Sequence, residues 1–359
     1  MAYEVDPSIE RSHTLPKQVY TDPGLYSVLL ERAFASAWHF VGDTTSVKVP
    51  GAVYPFTLLE GSLDEPLVFT RDMEDRLHLL SNVCTHRGAI VAESPGNERF
   101  LRCRYHGRRF GLDGRFQAMP EFEKAENFPT PADCLPKVPH AQWGSWLFAA
   151  LQPKASFEEC FKPMIERVGW LPLDEFRHDP SSSRDYLVRA NWALYVDNYL
   201  EGLHIPFIHA ELNQVLDYGQ YAYELYERGN LQLGIGKPGY DCFELPASSP
   251  DHGKHVAAYY YWFFPNLMLN FYPWGLSINV VKPLSVDLTR VSFIRYVWRE
   301  SRVGQGAGAA LDRVEREDEA VIEVVQKGLR SRFYDRGRFS PTGEVGTHHF
   351  HRLIAAALA

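Results

Sequence analysis

The chain has 359 residues, 45% hydrophobic and 23% charged, a length and balance suited to a large folded core and two domains rather than to disorder. Its 45 acidic and 37 basic residues leave a formal net charge of −8, which argues against recognition of a nucleic-acid backbone. The charged start MAYEVDPSIERSH and the lack of an apolar run of about 18 residues give neither a secretory leader nor a membrane span, so the expectation is a soluble cytoplasmic protein.

Residues 1–39 carry helical periodicity in GLYSVLLERAFASAWHF, where Leu25, Leu29, Ala33 and Trp38 recur on one side, and are expected to pack on the second domain. Residues 40–152 change to short alternating runs such as AVYPFTLL, PLVFTRD and GSWLFAAL between Gly, Pro and Asp turns, the texture of an all-β domain. Residues 153–359 are mixed. Helical signals at 157–169 and 190–204 precede strands rich in Tyr, Trp, Phe and Val between 217 and 299, a Gly-rich loop RVGQGAGAA and a helix from about 308 to 333. The fold class is α+β.

The five cysteines, an odd and sparse set, favour metal or redox chemistry over a disulfide framework. Cys134, Cys160 and Cys242 read as small core residues. Cys84-Thr-His86-Arg-Gly and, after sixteen residues, Cys103-Arg-Tyr-His106-Gly carry the chemistry of the β region. A zinc site of this composition usually draws its cysteines from one turn and its histidines from another. Here each turn supplies one of each, which suits a two-iron cluster with both thiolates on one iron and both imidazoles on the other. Gly88 and Gly107 are placed to take positive φ and bring backbone amides toward the cluster sulfurs. Six arginines, Arg87, Arg102, Arg104, Arg108, Arg109 and Arg115, crowd these loops, either as a positive field for an acidic electron donor or as loop solvation and packing.

A relay needs an acceptor, and NWALYVDNYLEGLHIPFIH at 191–209 offers one. On a helical wheel Asp197, Glu201 and His204 share one face of an apolar segment, where ionisable groups need a compensating partner. Pro206 is expected to end that helix and let His209 approach the point that His204 faces. Two imidazoles and one carboxylate make the facial triad that leaves open positions on Fe(II). In the acidic helix ALDRVEREDEAVIEVVQKGLR the apolar stripe of Leu311, Val314, Val321, Ile322, Val325 and Leu329 is centred on Asp318. Glu317 and Glu319 point outward from it and Glu315 sits at its edge. Asp318 is therefore the expected third ligand.

Cys84-x-His86…Cys103-x2-His106 resembles the Rieske [2Fe-2S] motif at all four ligands, with Arg108 where such proteins often carry Trp, a change that leaves ligation intact and makes the neighbourhood more basic. Joined to Glu201, His204 and His209, it resembles the catalytic α subunit of Rieske non-heme iron (ring-hydroxylating) oxygenases, in the branch that oxidises choline or demethylates carnitine and betaine. The resemblance implies a β-rich Rieske domain inserted in a helix-grip, START-like catalytic domain, and a homotrimer. It also implies Glu201 as the bridge for electrons from His86 or His106 of a neighbouring subunit to His204, with Asp197 and Asn198 supporting it. O2 is the expected oxidant. No Gly-x-Gly-x-x-Gly fingerprint occurs, so NAD(P)H is expected to act through a separate reductase or ferredoxin. The run AAYYYWFFPNLMLNFYPW is either mostly buried strand or, in part, the wall for an aromatic ring or a quaternary ammonium head. The alternatives are an aromatic-ring dioxygenase, an electron-transfer protein without oxygenase activity, and a zinc-stabilised module.

Overall fold

Branched and aromatic residues alternating along the second half of the chain pair into an antiparallel sheet of eight strands. The structure, a computed structural model, describes residues 3–359. The chain divides into two units, one formed by Met1–Phe34 with Ala155–Ala359 and the other by Ala35–Lys154.

In the discontinuous unit the strands run in the order Ala222–Tyr226, Gly229–Ile235, Val256–Phe263, Leu267–Tyr272, Gly275–Ser285 and Leu288–Val297, and the last of these also pairs with Arg177–His178 and Arg184–Val188. The central strands are buried on both faces, because helices cover each side. Phe161 of helix Phe157–Val168 meets Phe263 at a ring-centroid distance of 4.2 Å on one face. The alternate residue Trp262 meets Phe350 of helix Val345–Leu358 at 5.3 Å on the other. Phe350 also packs edge-on to Trp192 at 5.7 Å, and Trp192 to Phe34 at 4.8 Å. These four rings tie the N-terminal segment, the start of helix Trp192–Tyr199 and the C-terminal helix to one sheet. The expected single N-terminal helix is shorter: Pro23–Leu29 runs into a wider turn at Leu30–Phe34.

Helix Trp192–Tyr199 is pinned at its start by polar groups. Asn191 accepts from the amide of Ala193 at 2.9 Å, while its own amide donates to Gln326 Oε1 at 2.8 Å. This explains why Gln326, not Val325, lies inside. The buried stripe of helix Leu311–Gly328 is Glu315, Ile322 and Gln326, and Val325 is exposed.

The continuous unit is built from three small sheets, of strands His39–Asp43, Trp146–Ala149 and His140–Trp143; of Leu77–Ser81, Glu65–Arg71, Ala52–Leu58 and Gly96–Asn97; and of Leu101–Arg102, Arg109–Phe110 and Phe116–Ala118. Its core cluster includes Val53, Val68, Leu80, Phe110 and Leu135, with Cys84 and Cys103 within it.

Replacing Gln326 by Leu leaves the Asn191 amide buried without its acceptor. The expected loss is about 1–3 kcal/mol, read as a lower midpoint in chemical denaturation.

Candidate functional site

In the continuous unit the two Cys/His loops are bent alike by their own backbone. The amide of Cys84 donates to Ala89 O at 2.8 Å and that of Gly88 to Cys84 O at 3.0 Å; in the second loop the pattern recurs with the same spacing, Cys103 to Arg108 O at 2.9 Å and Gly107 to Cys103 O at 3.0 Å. Both closures require a left-handed residue, and Gly88 and Gly107 supply it with φ of 73° and 76°. The thiols are buried, and the His86 and His106 rings lie 4.9 Å apart, nearly perpendicular. His106 Nδ1 is buried and, among the described residues, has no hydrogen-bond partner. Burial pushes the Cys84 thiol up, with Cys103 adding to it. Two thiols, two imidazoles and an unanswered ring nitrogen on matched loops fit a two-iron cluster with mixed ligands.

Arg108 departs from expectation. It is 2% exposed, so its charge does not reach the loop surface. Its guanidinium lies 5.0 Å from the Phe116 ring and 5.5 Å from the Phe128 ring, and Nη2 donates to Asp133 Oδ1 at 2.7 Å. The carbonyl of Asp133 accepts from Arg108 at 3.1 Å and from the Thr85 hydroxyl at 2.8 Å, so one turn is tied to both cysteine loops. Arg87, Arg102, Arg104 and Arg115 are exposed.

In the other unit, helix Trp192–Tyr199 stops before Glu201. Pro206 does not end that helix; it occupies the first turn of a separate helix, Ile205–Ile208, flanked by His204 and His209. The wheel argument therefore fails for Asp197, which turns away. It pairs with His351 Nε2 at 2.9 Å and accepts from the Tyr20 hydroxyl at 2.8 Å. Asn198 does reach the site, donating to Asp318 Oδ1 at 2.7 Å.

Ligand atoms of His204, His209 and Asp318 lie within 4.8 Å of one another, and this set could hold a metal ion. Asp318 Oδ1 is 3.0 Å from His209 Nε2 and 3.7 Å from His204 Nε2. The opposite ring nitrogens are held by carboxylates, His204 Nδ1 by Glu201 at 2.6 Å and His209 Nδ1 by Glu317 at 2.8 Å, which directs both Nε2 atoms to one point. The second Glu201 oxygen accepts from the amides of Leu203 and His204. Burial opposes a charge on His209, but Asp318 and Glu317 outweigh it and raise its pKa above the ordinary imidazole value. The pocket calls for positive charge.

Beside the triad lies a cavity of about 100 Å³ whose wall includes Tyr199, Tyr221, Tyr260 and Tyr272. One cross-strand row, Gln232, Tyr260, Asn270 and Ser277, spans the sheet beneath it. Tyr199 donates to Asn270 at 2.6 Å and Gln232 to the Tyr199 carbonyl at 2.7 Å. The aromatic run thus divides by strand parity: Tyr260 and Tyr272 line the cavity, while Tyr259 takes the other face, against Asp251 at 3.1 Å. Two acids expected outside the site belong to it: Glu317 through His209, and Glu315, which is buried in the cavity wall. A glutamate one turn before Asp318 was the available signal for Glu315; nothing in the spacing marked Glu317.

Residues 173–359 match the model of the ring hydroxylating alpha subunit (catalytic domain), and residues 37–129 that of the Rieske [2Fe-2S] domain. Chloroplastic choline monooxygenase of Arabidopsis thaliana is 31% identical over 98% of this chain and 85% of its own length. The carnitine monooxygenase oxygenase subunit of Escherichia coli K12 is 27% identical over 96% and 94%. A solved quaternary ammonium Rieske monooxygenase superposes with a TM-score of 0.77 at 21% identity, covering 99% of this chain and 100% of that one. Among the described residues no helix is long and apolar enough to cross a membrane.

Exchange of Asp133 for Ala strands the Arg108 charge among aromatic rings. It should cost about 2–4 kcal/mol in denaturation, and the double exchange with Arg108→Leu should recover most of that.

Proposed function

The chain belongs to the Rieske oxygenases as a ring-hydroxylating alpha subunit, and from that premise we propose that it oxidises a small trimethylammonium compound. As a catalytic subunit of this family it uses a [2Fe-2S] cluster, a mononuclear iron and O2. We assign Cys84, His86, Cys103 and His106 to the cluster and His204, His209 and Asp318 to the mononuclear iron. On this reading unit 35–154 receives electrons and the discontinuous unit performs the oxidation. When bound, the two centres supply one-electron transfer and activation of O2.

The observation that carries the substrate is the cavity, in which five tyrosines stand beside the triad with no Lys or Arg in the wall. Tyrosine faces attract a cationic head while excluding water, and the relatives just described act on choline and carnitine. The residues of the chain then divide the work. Glu201 and Glu317 orient the two imidazoles, and Asn198 holds Asp318. Glu201 Oε1 keeps a lone pair beyond its bond to His204, enough to accept from His86 or His106 of a neighbouring subunit in a homotrimer. Electrons arrive from a separate NAD(P)H-dependent reductase or ferredoxin.

Supplied with a surrogate reductase and NAD(P)H, the holoenzyme should convert members of a trimethylammonium panel, seen by mass spectrometry as added oxygen or a lost methyl. Products from small aromatics alone would replace this substrate class. Asp318→Ala should lower the iron content from about three to about two per chain and keep the red-brown cluster. Glu317→Gln should weaken iron retention about 10–100-fold.

A further inference from the structure

One carboxyl oxygen in the cavity wall has no hydrogen-bond partner among the described residues. Glu315 lies three residues before Asp318, on the same face of helix Leu311–Gly328 and about 4.5 Å along its axis. It is 3% exposed. Its Oε2 accepts from the Tyr195 hydroxyl at 2.7 Å, whereas Oε1 is buried and, among the described residues, has no hydrogen-bond partner. Tyr195 is buried as well, and both residues line the cavity. Burial, and then the nearby Asp318, Glu319 and Asp312, push the Glu315 carboxyl well up despite the Tyr195 bond.

An enclosed acid with one oxygen unanswered is costly to the fold, most of all as the carboxylate that burial disfavours, and an amide would serve Tyr195 equally well; a cation arriving beside it favours the charged form, the proton leaving to solvent. The cost makes sense if something else arrives to answer it. The wall carries Glu201, Glu315 and Asp318 and no Lys or Arg, its basic groups being the imidazoles of His204 and His209, so the three acids bias the site's field toward positive charge. A metal ion held by His204, His209 and Asp318 would satisfy Asp318 and leave Glu315 over. A cationic head entering beside a divalent ion meets repulsion unless a carboxylate stands next to it.

Resting on the substrate class proposed above, we infer that Glu315 is the specificity-determining countercharge for the quaternary ammonium head: its carboxylate faces the head, while Tyr199, Tyr221, Tyr260 and Tyr272 supply ring faces. Its place one turn from Asp318 holds the charge to one side of the triad.

The test is calorimetric titration of the holoenzyme with choline and with its uncharged carbon isostere, 3,3-dimethylbutan-1-ol. Glu315→Gln keeps an acceptor for Tyr195 and removes the charge. It should lose at least about tenfold in choline affinity and less than about twofold for the isostere. Unchanged choline affinity in this variant overturns the assignment and leaves the substrate class standing. A wild-type protein that binds no trimethylammonium compound overturns both, and that failure is recognised because it precedes any substitution. Should Glu315→Gln not accumulate as folded, red-brown protein, Glu315→Met removes both oxygens from the wall and gives the same comparison with the same two outcomes.

Discussion

Carboxylates and imidazoles enclosed together in an apolar wall survive only when each is answered, and this requirement organises the discontinuous unit. Asp318 is met by Asn198 and His209, Glu201 by His204 and two backbone amides, Glu317 by His209. The Glu201 bonds are local to one turn, whereas those of Asp318 and Glu317 to Asn198 and His209 join different helical segments, which cannot slide without breaking several at once. The aromatic knot of Phe34, Trp192, Trp262 and Phe350 and the bond from Asn191 to Gln326 fix the same helices from behind.

The two candidate metal sites are built in opposite ways. The cysteine loops are shaped by local backbone bonds that repeat in both loops, with glycine providing the reversal and Asp133 tying them together. The His/Asp site is assembled from residues more than a hundred positions apart, and its precision comes from side-chain partners on Nδ1. A short motif suffices for the first; the second needs the whole fold.

That difference sets how much was legible beforehand. Cys84, His86, Cys103 and His106 were readable because their geometry is local, and the positive φ of Gly88 and Gly107 followed from the same logic. His204, His209 and Asp318 also converge, but for partly different reasons. The wheel assumed one continuous helix where the chain breaks at Leu200, so Asp197 was misdirected. An apolar stripe takes Val325 as inward and says nothing of Gln326, and it leaves Glu315 at the edge and Glu317 outside; the partners of Glu315, Glu317 and Gln326 come from distant segments that no window of sequence contains. Arg108 misled for the same reason: three phenylalanines and Asp133 enclose a side chain whose type alone suggests solvent.

The division of the chain has a bearing on its synthesis. Residues 35–154 form their unit from an unbroken stretch, so the cysteine loops have every partner of their own unit once that stretch leaves the ribosome. The other unit must wait, because Leu15 and Tyr20 at its beginning bond to His351 in the last helix. Its first segment waits while more than three hundred residues are translated, and the unit is complete only once the final helix has arrived. Vectorial folding thus lets unit 35–154 form first and the discontinuous unit last.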